Sequence, residues 1–296
     1  MRKAFLLGAG LGTRLKPLTD TLPKPLIPLE NRPLITHAMD HLIKAGIVEI
    51  AINTHHLPEA WPAAFPDATY RGASLSFFYE PDLLETGGGI KNIAEWIGND
   101  STLVYNGDIL SDLPLDKLIT GHMMGNNIAT LAVRQDGPAQ HLALEGYQVT
   151  DIKGMVHGKP GTHQFTGIYC IDPEILNLIP DHEKISVIPA FLELISKKQL
   201  GAYNVKQCSW LDLGERESYL EASFHKPAQI SPSAEVHSSA KVTNSWVGDG
   251  CRIGENTVVT DSILWPGTSV SADAELTKCV VHSNSSATGI HTNADL

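Results

Sequence analysis

The sequence predicts an α/β core followed by a small parallel β-helix. Two periodicities carry that expectation. Short apolar strands alternate with helical stretches through about residue 225, and a seventeen-residue repeat governs the last seventy residues. A third observation concerns use rather than architecture. A loop rich in glycine and proline begins where the first strand ends.

The elements follow in order. Lys3–Gly8, Ile47–Asn53, Leu75–Tyr79 and Thr102–Asn106 are short apolar runs of strand formers. Between the first two, Leu34, Ala38, Leu42 and Ala45 recur at helical spacing, and Gly46 is a natural stop. Strand, helix, strand in that rhythm predicts βαβ units and a largely parallel sheet. Further on, Ile128–Val133, His141–Glu145, Tyr147–Ile152 and Gln164–Ile171 read as strands, and Pro173–Ile179 and Val187–Lys197 as helices. The second half of the core therefore carries an antiparallel excursion.

From Ile230 to Val281 apolar residues recur in steps of 6, 6 and 5, three times over. Val242-Thr-Asn-Ser-Trp-Val247, Val259-Thr-Asp-Ser-Ile-Leu264 and Leu276-Thr-Lys-Cys-Val-Val281 are the matching blocks, each followed by a turn segment. One period per coil, with three short strands per coil, describes a β-helix of just over three coils. The expected division is a core over residues 1–226 and a β-helix over residues 227–296.

Composition limits the function. The chain has 296 residues, with 22 Lys and Arg against 33 Asp and Glu, giving a net charge of −11. An acidic surface argues against nucleic-acid binding and against an anionic membrane surface. No apolar run approaches the ~20 residues of a membrane-spanning helix. The N-terminus reads as a first strand, not as a secretion signal. Cys170, Cys208, Cys251 and Cys279 are widely spread with no C-x-x-C pair, which fits a reducing cytoplasm. His55-His56 is not a metal pair, because neighbours on an extended chain point to opposite faces.

The loop is Gly8-Ala-Gly-Leu-Gly-Thr-Arg-Leu-Lys-Pro-Leu-Thr-Asp-Thr-Leu-Pro-Lys-Pro-Leu26. Glycines at 8, 10 and 12 let backbone amides approach phosphate oxygens, and Arg14 and Lys24 add positive charge. Pro23 and Pro25 fix the backbone around Lys24 and aim its side chain. The spacing is not the Gly-x-Gly-x-x-Gly of dinucleotide binders, and no Gly-Lys-Ser/Thr of a Walker loop follows.

This loop resembles the signature of the sugar-1-phosphate nucleotidylyltransferases. Three further segments extend the resemblance over nearly the whole chain: Leu84-Glu-Thr-Gly-Gly-Gly-Ile90, Asn106-Gly-Asp108 and Trp210-Leu-Asp-Leu-Gly214. It implies a Rossmann-like nucleotidyltransferase core with a mixed sheet and a short left-handed parallel β-helix tail. It implies a reaction between an NTP and a sugar 1-phosphate, with Mg²⁺ held by Asp108 and Asp212. Arg14 and Lys24 would act on the triphosphate and the departing pyrophosphate. Gly8, Ala9, Gly10, Gly12, Thr13, Glu80, Glu85, Thr86, Gly87 and Gly88 would contact the nucleotide, with Glu80 or Glu85 reading the base. The glycines at 87–89 would pass under base or ribose. Asn106, Lys159, Thr166 and Gly167 would contact the sugar phosphate, Lys153 being the alternative to Lys159.

The core-plus-β-helix layout resembles the mannose-1-phosphate guanylyltransferases, and the Leu84–Ile90 segment resembles uridylyltransferases acting on N-acetylmuramate 1-phosphate. GTP with mannose 1-phosphate is the first substrate expectation, with UTP or dTTP and another sugar as the alternative. The Tyr-Gly that many relatives carry near the sugar is replaced here by Gln140-His-Leu-Ala, and Gly158 stands where a Glu often precedes the sugar-phosphate Lys. A non-catalytic regulatory subunit and an acyl-transferring β-helix using His237 or His282 are the competing readings. Trp246 and Trp265 are expected either as exposed contacts of a homo-oligomer built through the β-helix or as packing on the core.

Overall fold

A computed structural model describes residues 1–224 and 228–296. The chain divides into two compact units, Met1–Leu11 with Ile35–Trp210, and Gly12–Leu34 with Leu211–Leu296. The expected boundary at 226/227 falls outside the described residues.

The first unit is built on a ten-stranded mixed sheet. In chain order its strands are β1 (Lys3–Leu7), β2 (Glu49–Thr54), β3 (Thr69–Tyr70), β4 (Ala73–Tyr79) and β5 (Thr102–Asn106). They continue as β6 (Ala129–Arg134), β7 (Leu142–Glu145), β8 (Gln148–Ile152), β9 (Gln164–Ile171) and β10 (Leu200–Val205). Across the sheet the order is β7-β8-β10-β6-β9-β5-β1-β2-β4-β3. β1 lies between β2 and β5 and is parallel to both. Ala4, Phe5 and Leu6 of β1 are all fully buried, so the strand is apolar on both faces, as a central parallel strand must be. The antiparallel excursion is real: β9 runs antiparallel to both β5 and β6.

Helix α1 (Ile35–Lys44) buries Ile35, Ala38, Met39 and Leu42, one face at helical spacing. The Pro173–Leu178 stretch is a 3₁₀ helix, as a Pro-led, short segment favours. The Leu84–Ile90 segment, whose glycines are expected under the base or ribose, forms a helix, α2 (Glu85–Asn92). The buried core of this unit joins Phe5, Val104, Leu131, Tyr169, Phe191 and Leu194. Phe191 and Leu194 come from helix α3 (Ile188–Ser196).

In the second unit the β-helix forms three parallel sheets of four strands each. The registers reproduce the repeat: Val236 pairs Ile253, Ile253 pairs Val270 and Val270 pairs Ala287. Val247, Ile253, Val259, Leu264, Val270, Leu276 and Val281 are buried in a common core. One corner of each coil turns through the left-handed backbone region, at Asn244, Asp261, Lys278 and Asn293. Beside it the hydroxyl of Ser245 accepts the amide of Ser262, and that of Ser262 accepts the amide of Cys279, each at 3.0 Å. Helix α4 (Arg216–Phe224) precedes the coils. Trp246 and Trp265 are buried rather than exposed, and the Trp265 indole donates to the Tyr219 hydroxyl at 2.9 Å.

Candidate active site

The first unit carries its chemistry at the C-terminal ends of its central strands. Leu7 is in register with Asn53 on one side and with Asn106 on the other. Above them opens a cavity of about 340 Å³, lined by Leu7, Ala9, Gly10, Asn53, Leu83, Glu85, Thr86, Asn106, Asp108 and Ser186. That is where ligands enter open α/β sheets. Five sequence-predicted residues besides Asp108 therefore share one cavity: Ala9, Gly10, Glu85, Thr86 and Asn106.

A hydrogen-bonded chain supports the cavity from below. The Gly8 amide donates to Asn53 Oδ1 at 2.7 Å, and Asn53 Nδ2 donates to Glu80 Oε1 at 2.8 Å. Glu80 Oε2 accepts the Leu84 amide at 3.0 Å. Three strand ends and the start of α2 are thereby tied together. Glu80 is a correction to its expected role as base reader. It is 0% exposed and both carboxylate oxygens are taken within the fold. Burial raises its pKa, against the bonds from Leu84 and Asn53 that favour the charged form. Glu85 remains at the cavity wall. Asn53 was missed as a functional residue, although its place at the end of the second strand was legible.

Gly87 and Gly88 are a second correction. Both amides donate to the Ile185 carbonyl, at 2.9 and 3.0 Å. A Cβ on Gly88 would lie 2.4 Å from the Glu183 carbonyl oxygen, and one on Gly87 2.8 Å from that of Ser186. A side chain at either position would meet this backbone, so these glycines let α2 press on the 183–187 segment. Thr86 takes part in the same contact, accepting the Val187 amide at 2.9 Å.

The predicted sugar-phosphate residues separate. Asn106 lines the cavity, and Gly167, at φ +78°, passes close to its side chain. Thr166 is fully buried and spends its hydroxyl on the Ala132 carbonyl at 2.9 Å. Lys159 lines a different cavity with His157 and Lys198, and its amide is held by Asp151 at 3.1 Å. Thr166 and Lys159 are thus corrected: neither side chain faces the Asp108 cavity. His55 Nδ1 bonds the Glu80 carbonyl at 2.7 Å.

In the second unit Gly12, Thr13, Arg14, Lys24 and Asp212 share a framework. Gly12 takes φ +62° and opens the 3₁₀ turn Thr13–Leu15. A Cβ there would meet Thr19 Cγ2 at 2.8 Å and Lys24 Cβ at 3.0 Å, so the loop folds tightly back on itself. Lys24 starts a second 3₁₀ turn, Lys24–Leu26, and is only 7% exposed, which agrees with its being held between prolines. Arg14 Nη1 pairs with Glu215 Oε1 at 2.7 Å. Asp212 Oδ1 accepts the Gly214 amide at 2.8 Å, and a Cβ on Gly214 would lie 2.8 Å from Arg14 Nη2.

A glycine loop leading from a central parallel strand, a carboxylate at the end of the neighbouring strand and a cavity between them define a phosphate-handling α/β enzyme. Comparison with known proteins narrows the class. Residues 3–228 match the family described as Nucleotidyl transferase, and residues 223–291 match the one described as GlmU-like, C-terminal hexapeptide. The chain belongs to the nucleotidyl transferase family, with a hexapeptide β-helix tail. It is 29% identical over 291 residues to a mannose-1-phosphate guanylyltransferase of Mycobacterium tuberculosis, covering 91% of this chain and 81% of that protein. It is 29% identical over 241 residues to a UTP–glucose-1-phosphate uridylyltransferase of Synechocystis, covering 74% of this chain and 62% of that protein. In fold it is similar to the UTP-bound UGPase of Acinetobacter baumannii, with a TM-score of 0.66 at 21% identity over 76% of this chain and 93% of that one.

Proposed function

We propose that the protein transfers a nucleotidyl group from an NTP to a sugar 1-phosphate, releasing pyrophosphate. GTP and mannose 1-phosphate are the first substrate choice. The observation that carries the reading is the cavity shared by the glycine loop, Glu85, Asn106 and Asp108. Relatives of this layout named as guanylyltransferases support the substrate choice.

The sugar phosphate is already an anion, so no general base is required. It attacks the α-phosphorus in line and the bond to pyrophosphate breaks. The work of the protein is to bring two anions together and to stabilise charge on the leaving group. Arg14 and Lys24 serve the β- and γ-phosphates, and the amides of Ala9 and Gly10 approach the triphosphate. Glu85, an acceptor only, suits the N1–H and N2–H₂ of guanine.

The donor set suits Mg²⁺. Among the described residues no group of three or more His, Cys, Asp or Glu side chains could hold a metal. Mg²⁺ needs few protein ligands, because substrate phosphates and water complete its shell. Asp108 and Asp212 are the hard oxygen ligands in this proposal, and the ion would neutralise charge on the phosphates. No described helix is long and apolar enough to cross a membrane, and a cytoplasmic location and a homo-oligomer complete the reading.

The test is pyrophosphate release with Mg²⁺ over a grid of five NTPs and several sugar 1-phosphates. Release should be confined to one pairing and fall about 10²–10³-fold in Asp108→Ala, as when one preorganised electrostatic partner is removed. Release unchanged in that variant would refute the assignment. Silence of the parent across the grid with NTP binding intact would favour a regulatory subunit.

A further inference from the structure

The β-helix is held to the segment that carries Arg14 and Lys24 through one short helix, α4, at two places. The first is Tyr219, which is fully buried. Its hydroxyl accepts the Trp265 indole N–H at 2.9 Å and donates its own proton to the Pro28 carbonyl. Pro28 opens the hairpin Pro28–Leu29 with Arg32–Pro33. That hairpin closes on the Lys24 turn, since the Ile27 amide bonds the Lys24 carbonyl at 3.3 Å and the Leu34 amide bonds the Ile27 carbonyl at 3.0 Å. The second is Arg216, whose guanidinium is shared among four acceptors. Nε bonds Asp295 Oδ1 and Nη1 bonds Asn293 Oδ1, both at 2.7 Å, and Nη2 bonds the carbonyls of Lys278 at 2.8 Å and Ala294 at 3.1 Å. The residue just before it, Glu215, holds Arg14.

Arg216 and Asp295 are largely shielded, their side chains 14% and 11% exposed. Tyr219 links two otherwise buried polar groups, and losing its hydroxyl leaves both without this partner. Arg216 uses the planar fork that Lys cannot reproduce. Tyr219 joins a β-helix coil to the Pro28 backbone, four residues from Lys24, and Arg216 joins the last coil to the helix start whose Glu215 side chain pairs with that of Arg14.

We propose that Arg216 and Tyr219 are positioning residues through which the β-helix sets the backbone that presents Arg14 and Lys24. The β-helix is then part of the catalytic apparatus rather than an appended module. This rests on the nucleotidyl-transfer reading, and its test separates the two.

The test uses the full chain with Tyr219→Phe, Arg216→Ala, Arg216→Lys and, as control, Arg252→Ala. Arg252 lies on an exposed coil face paired only loosely with Glu235, at 3.4 Å. Turnover with the productive substrate pair and amide hydrogen exchange over residues 12–34 are both measured. Tyr219→Phe and Arg216→Ala should lower kcat about ten- to hundredfold, as slight misplacement of a catalytic group does, with the KM for sugar phosphate within about twofold. Exchange in residues 24–34 should quicken in Tyr219→Phe, and exchange around Arg14 in Arg216→Ala. Arg216→Lys should recover part of kcat, and Arg252→Ala should match the parent. Tyr219→Phe keeps the ring and its packing, so it guards against simple failure to fold. Unchanged exchange in both variants overturns the proposal, as does quickened exchange with parental kcat. A parent that turns over no substrate defeats the functional reading, and exchange alone then decides whether the two residues hold the loop.

Discussion

Glu80 and Asn53 form a buried polar pair in the first unit. Asn53 spends one side-chain end on the Gly8 amide and the other on Glu80. Asn53→Asp keeps the acceptor for Gly8 but sets a second carboxylate oxygen 2.8 Å from Glu80 Oε1. Two carboxylates at that separation cannot both ionise, so the folded variant takes up a proton that its unfolded chain does not hold. The folded pKa is raised, so the variant is stable in acid and loses stability as pH rises through that value. Thermal melting from pH 4 to 8 should show the variant nearest the parent at the acid end. A gap that is constant with pH would show that Glu80 does not carry the charge. None of this was legible in the sequence, where Glu80 reads as a free acceptor at a strand end. Which way a carboxylate faces depends on a neighbour 27 residues away.

At the scale of elements the two periodicities were good guides, and the glycine run was not. Strand alternation and the seventeen-residue repeat report burial directly, because each apolar position has one inward direction. The Gln164–Ile171 strand is as expected to the residue, and so are the inward positions of the coils from Val247 onward. Three consecutive glycines report only that side chains are excluded. Whether a ligand or the chain's own 183–187 backbone excludes them is a tertiary fact. Lys159 failed for a similar reason: its turn is fixed by bonds to Asp151, which no local pattern announces. The coil core yields a quantitative expectation. Leu276 is fully buried, stacked against Val259 above it. Leu276→Ala should cost about 2–5 kcal/mol in chemical denaturation, the range for a truncated core leucine. A cost under about 1 kcal/mol would mean that the coils collapse around the gap.

For the whole molecule, acid is the informative stress. His122 is buried with Nδ1 2.9 Å from Thr130 Oγ1 and Nε2 3.2 Å from Asp172. His41 bonds the Leu113 carbonyl at 2.7 Å and Tyr105 at 3.2 Å. Burial lowers the pKa of both, and outweighs Asp172 at the first and the Leu113 carbonyl at the second. The unfolded chain therefore binds protons at these sites that the native chain refuses. Stability should be flat above about pH 7 and fall on acidification through about pH 6.5, the ordinary histidine value. A melting temperature that holds or rises between pH 7 and 6 would contradict this. The oligomer is a separate matter, since the tryptophans first considered as contacts are buried. Light scattering at micromolar concentration should still give a mass above that of the single chain, and a monomer would defeat that part of the proposal.

The spacing of the coils has a consequence for how the tail tolerates change in length. From Gln229 to Ala287 the strand partners lie seventeen residues apart in all three sheets, and the serine ladder keeps the same spacing. The last coil alone is shorter, pairing Leu276 with His291. It is the coil that Arg216 grips. A whole added turn inserted upstream of it leaves every lateral bond intact and only carries the gripped end farther from α4. Any other insertion shears three sheets at once. The stack can grow by duplication without loss of that grip only where Arg216 still reaches the coil it holds.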